Sequence, residues 1–311
     1  MNRSQALNRL VPPRARDRLG DALLARVAGP SGAENRARIH GTPGPRWFAP
    51  GEPIRQVHGD ASMFVGGLSA LLLQSLHPRA MAAVAAHSGY RGDPWGRLQR
   101  TSTFLAFTTY GTAQDAQRAV DAVRAVHGRI RGRTPDGQPY RADDPHLLEW
   151  VHIAEVDSFL RAYQRYGAGH LDADGCDAYV AAAARVGQAL GVVRPPRTAD
   201  ELAERIEAFR PELRGTEEAR AAARFILLRP PLPWPARPPY ALLAAAAVAL
   251  LPPWARTPLG LPLLPRTERW CVGPAGTAVT GAIRWALRQT PPAPGPRQPD
   301  PRERRVRASG A

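Results

Sequence analysis

Between residues 46 and 290, apolar side chains recur at steps of three and four. No run alternates β-branched with polar residues. A chain patterned this way can bury its apolar surface as helices but presents no sheet face. The expected fold class is all-α, a multi-helix bundle. With 311 residues, 44% of them hydrophobic, there is enough apolar material for a sizeable core. Residues 1–45 are rich in Arg, Gly and Pro and read as a loosely attached arm with one helix near residues 14–27. Residues 291–311 are Pro- and Arg-rich with almost no large apolar group, and are expected to be disordered. The folded domain is expected to occupy residues 46–290.

Local chemistry marks the helix ends. Asp60 is placed to cap a helix through Met63, Leu68 and Leu72 to Leu76, apolar nearly all round and hence central. His77-Pro78 interrupts it. Thr112, with Asp115 in the first turn, opens a helix whose apolar face carries Ala116, Val120, Val123 and His127. Asp143 or Asp144, followed by Pro145, opens the next, through Leu148, Val151, Ile153, Phe159 and Tyr163. Further helices are expected over residues 174–190, 198–209 and 216–228.

The formal net charge is +15, yet the chain contains no lysine. That excludes a lysine Schiff base, a P-loop lysine and a kinase-type lysine. Arg, Ala, Gly and Pro are all abundant, so the basic balance reflects compositional bias, and no nucleic-acid partner is expected. Two cysteines, Cys176 and Cys271, cannot build a cysteine-based metal site or a disulfide scaffold. The expected compartment is the cytoplasm. The first 29 residues contain no continuous apolar stretch of the signal-peptide kind. The longest apolar run, residues 240–251, is shorter than the roughly 20 residues a spanning helix needs. Trp254 and Arg256 follow it, which leaves room for peripheral membrane contact at most.

Several residues carry possible chemistry. His127 lies on an apolar helix face, where a histidine is more often a satisfied core residue but where a haem iron also finds its axial ligand. Glu149 and His152 form one Glu-x-x-His pair. A ferritin-like di-iron site needs two such pairs and two more carboxylates. The plain alternative for His152 is a hydrogen bond to Glu155 or Asp157. Arg97, Arg100 and Thr101 fall three or four apart, so they can share a helix face beside His77 and His87. Such a face suits a carboxylate ligand, or simply water.

The runs LLLQSLHPRAMAAVAAHS, GDPWGRLQRTSTFL, AVRAVHGRIRG, PYRADDPHLLEWVH and EVDSFLRAYQRYG, in this order, resemble the MpaB and rubber-oxygenase (latex-clearing protein) catalytic-domain family. The later AVALLPPWARTPLGLP resembles its C-terminal part. The resemblance implies a partly globin-like helical domain around a buried haem b, with oxygenase or related redox activity. It implies His127 as the iron's axial ligand, and Arg97, Arg100 and Thr101 as the family's Arg-x-x-basic-Thr motif. In the rubber-cleaving branch the middle basic residue is a lysine that can cap the iron. Here it is Arg100, and a guanidinium does not deprotonate, so rubber cleavage itself is not implied. His77 and His152 stay open as alternative ligands or as groups on the opposite side of the iron. Arg97 and its neighbours would pair with a haem propionate, and Thr101 would offer its hydroxyl to the oxygen side.

The leading expectation is a haem-b oxygenase acting with dioxygen or peroxide on a small apolar substrate, isoprenoid or lipid-like. The rivals are a non-catalytic haem or lipid binding protein, a di-iron enzyme using Glu149 and His152, and a basic interaction protein. Nothing in the sequence identifies a redox partner.

Overall fold

The computed structural model describes residues 13–89 and 92–287. The tail 291–311, expected to be disordered, lies outside the described residues, as does the start of the N-terminal arm. The chain is all-α, as its periodicity requires. In order it forms α1 (Pro13–Ala28), α2 (Gly32–Gly41), α3 (Pro53–His58), α4 (Met63–Gln74), α5 (Pro78–His87), α6 (Pro94–Tyr110) and α7 (Ala113–His127). A two-stranded antiparallel hairpin, β1 (Arg131–Arg133) with β2 (Pro139–Arg141), follows. Then come α8 (Pro145–Tyr166), α9 (Ala173–Leu190), α10 (Ala199–Phe209), α11 (Glu217–Leu228), α12 (Arg237–Leu250) and, after short turns, α13 (Gly273–Leu287).

The most extensive helix pair is α4 with α8. Gly66 permits their approach: a Cβ there would stand 3.0 Å from Phe159 Cδ1 and 3.1 Å from Ala162 Cβ. One side of α4 joins the larger core, in which Leu72, Leu73, Trp150, Ile153, Tyr179 and Val180 are buried. The other side joins a smaller core built with Tyr166, Leu243, Ala246, Val279 and Ile283 from α8, α12 and α13. That double burial is why α4 lacks a polar stripe.

Most expected caps form. Thr112 Oγ1 accepts from Asp115 N, and Asp144 accepts from His146 N with Pro145 at the first helical position. Helix α9 ends on Gly191 at φ 115°, a left-handed conformation suited to glycine. Three expectations need correction. Asp60 does not cap α4. Its carboxylate accepts from Ser62 N at 2.8 Å and takes a bidentate pair from Arg284 on α13, at 2.7 and 2.8 Å. Val151 points outward rather than into the core. The described part of the N-terminal arm is not loose: it holds two helices, with α1 against α13 and α6, and with Arg38 of α2 ion-paired to the buried Asp115.

The apolar run 240–251 becomes α12, packed on α13 and α4. No helix among the described residues is long and apolar enough to cross a membrane.

Candidate functional site

Helices α6 and α7 form the frame. Asp93 caps α6 through Gly96 N at 2.8 Å, and only Gly111 and Thr112 separate its end from α7. The two helices pack on each other, with Arg97 in the first turn of α6 and His127 in the last turn of α7. Arg97 is half-buried and its Nη1 donates to Ser88 Oγ at 2.8 Å, fastening α6 to the end of α5. Arg100 and Thr101 are exposed. Arg100 faces only Asp93, at 3.4 Å, and with both side chains in solvent that pair holds it weakly. So Arg97 is tied into the fold, while its two motif neighbours stand in solvent.

His127 ends α7. Its ring has no hydrogen-bond partner at the buried Nδ1. Desolvation lowers its pKa against a smaller opposing pull from Asp143, so the ring is held neutral at ordinary pH. One turn earlier, Arg124 donates to Ala189 O on α9 at 3.3 Å. The same stretch of α9 carries Gly187, where a Cβ would meet three His152 ring atoms at 2.9–3.0 Å. The end of α9 thus touches α7 beside His127 and α8 at His152. The His152 Nε2 is buried without a partner, and desolvation pushes the ring down to about 4.

The hydrogen bond expected from His152 to Glu155 or Asp157 does not form. Asp157 accepts from Arg161 at 2.7 and 2.8 Å. Desolvation raises the Glu155 carboxyl to about 7. The polar string continues inward. Burial first, then the charges of Glu155 and Asp157, raise the Tyr179 phenol well above its ordinary value. Tyr179 Oη lies 3.5 Å from His58 Nε2, and His58 Nδ1 is 2.8 Å from Thr109 Oγ1. His58 is half-buried, and desolvation pushes its ring down to about 4. Sequence reasoning missed His58, Thr109 and Tyr179. The available signal was His58 closing a short helix beside Ile54 and Val57.

His77 sits elsewhere. It is buried at the start of α5, among Trp150, Phe209 and His146. His146 and His152 are six residues apart on α8, about 9 Å along the axis and on different faces. His77, His146 and Glu212 are the only three-ligand group among the described residues. Glu149 does not join His152 in any such group. Its Oε1 lies 3.6 Å from Arg205 Nε on α10, so the two-carboxylate, two-histidine geometry of a di-iron bundle is not assembled. Cys176 and Cys271 are free thiols.

A family model described as "ER-bound oxygenase mpaB/B'/Rubber oxygenase, catalytic domain" matches residues 55–286. The chain belongs to this family. No curated protein and no solved structure matches it significantly. As a member of an oxygenase family, the mpaB/rubber-oxygenase chain is an oxidoreductase by kinship. That chemistry calls for a metal or haem, with dioxygen and an organic substrate as partners. The residues present pass one physical test for a haem. An axial histidine must be neutral, with a nitrogen not already committed. His127 and His152 meet that condition, and so does His77.

Proposed function

We propose that this chain is a haem-b oxygenase for a small apolar substrate, isoprenoid or lipid-like, with His127 as the iron's axial ligand. The observation that carries the reading is His127 itself: a desolvated imidazole whose buried Nδ1 has no hydrogen bond, at the end of the helix that packs on the Arg97 helix. When bound, haem supplies the activation of dioxygen or peroxide.

The chain's own residues do the rest. His127, whose ring burial holds neutral, would hold the iron through a ring nitrogen. Arg97, anchored on Ser88, and Arg100, weakly held by Asp93, would supply the cations for the haem's carboxylates. Thr101 offers a hydroxyl next to Arg100. His152 and Glu155 lie one turn apart on α8. The Glu155 carboxyl, raised by desolvation to about 7, can hold a proton near neutrality, and the His152 ring, pushed down to about 4, keeps a buried nitrogen uncommitted. Both cysteines are free thiols, in keeping with a reducing cytoplasm.

Absorption spectroscopy with a pyridine haemochrome assay tests this directly. The wild-type protein, expressed with haem precursor, should carry one b-type haem. His127→Ala should lose it or show an altered Soret band, whereas Glu149→Gln should keep both haem and spectrum. An unchanged spectrum in His127→Ala rejects the assignment. Haem without substrate-dependent oxygen uptake would favour the non-catalytic binding protein.

A further inference from the structure

We propose that His77, His146 and Glu212 form a second site, separate from the haem reading, for one divalent transition-metal ion of the zinc type. The three residues come from distant parts of the chain. His77 is the N-cap of α5, His146 lies in the first turn of α8, and Glu212 ends the 3-10 turn Arg210–Glu212 that follows α10. Their donor atoms all lie within 4.8 Å of one another. His146 Nε2 is 2.9 Å from Glu212 Oε1, and His77 Nε2 is 3.4 Å from Glu212 Oε2. Tetrahedral zinc with bonds of about 2.1 Å sets its ligand atoms roughly 3.4 Å apart, so only small ring movements would be needed.

An ion pair between His146 and Glu212 satisfies those two residues. It reaches His77 only through a long contact, Nε2 to Glu212 Oε2 at 3.4 Å, and leaves that ring, 2% exposed, with a buried Nδ1 that has no partner. A buried polar ring so poorly satisfied is costly, and a cation facing its Nε2 removes part of that cost. The walls are built to orient the donors. His146 stacks on Phe209 at 4.5 Å, and His77 packs between Phe209 and Trp150 with centroids 6.4 and 6.5 Å away. These close-packed rings leave no slot for a macrocycle. The mouth is open, since the His146 and Glu212 side chains are 42% and 39% exposed, which gives an entry path and a place for water as the fourth ligand. Arg79 also faces His77, but it is paired with Asp144 at 3.6 Å. Two imidazoles and one carboxylate suit zinc, and ferrous or cobaltous ions by the same donor logic.

The test is equilibrium dialysis of the full-length, haem-loaded protein against zinc, with metal analysis, calorimetry and thermal melts. One equivalent of zinc should bind and raise Tm. His146→Ala and Glu212→Gln, both at half-exposed positions, should each weaken binding more than about tenfold and abolish the Tm rise. Haemochrome content should not change in either. His127→Ala should still bind zinc. Absence of stoichiometric zinc, or zinc unaffected by both variants, overturns the proposal. So does zinc that disappears with His127 instead.

Discussion

Glu155 shows how one residue can make the whole fold sensitive to pH. Its carboxyl is pushed by desolvation from 4.5 up to about 7. Between those values the unfolded chain ionises while the folded chain keeps its proton. Folding therefore loses stability as pH rises through that window, and the full penalty applies above it. At 1.36 kcal/mol per unit, the penalty is about 3 kcal/mol. Glu155→Gln should thus match the wild type in urea melts at pH 4 and exceed it by up to about that amount at pH 8. Equal stability differences at both pH values would show that the carboxyl is not desolvated. His58 and His152, both pushed down to about 4, act in the opposite sense. Each must stay neutral to remain buried, so each withdraws stability as pH falls below about 6.5. This small group of buried side chains narrows stability from both sides.

At the scale of elements, the contact between α9 and α8 depends on a missing side chain. Gly187 has no room for a Cβ against the His152 ring. Gly187→Ala should cost about 1–3 kcal/mol by overpacking and displace the ring, which thermal melts and the Soret position would report together. A variant with wild-type stability and spectrum would mean the helices part without effect. The elements were largely legible because their signals are local. Thr112 caps α7, Asp144-Pro145 opens α8 and Gly191 stops α9, each through atoms a few residues away. What was not legible is set by distant partners. Asp60 has the look of a cap, but Arg284 claims it from 224 residues away. The hairpin's TPDG turn, with Gly137 at φ 85°, pairs strands too short to show a period. The site follows the same rule. His127 stood out on its own apolar face, whereas His58 needed Thr109 and Tyr179, and His77 needed Glu212, to acquire a meaning.

At the scale of the molecule, one ion pair ties the ends of the fold to its middle. Asp60 is 6% exposed and Arg284 20%, and the guanidinium also donates to Tyr166 O at the end of α8. Arg284→Met would leave a buried carboxylate without its cation, at a cost of about 3 kcal/mol or more. Denaturant unfolding should show that loss as a lower midpoint. A double variant that also converts Asp60 to Asn should recover part of it. Recovery of none would mean that Arg284 acts through packing rather than charge.

The same connection has a consequence for biosynthesis. Helix α4 is made early, yet one of its two apolar sides is covered largely by α12 and α13, near the end of the described chain. A nascent chain emerging from the ribosome therefore carries Val65 and its neighbours uncovered through most of translation. Closure waits for residues 279–284. The interval is a window for chaperone capture, and its length is set by where the covering helices stand in the order of synthesis.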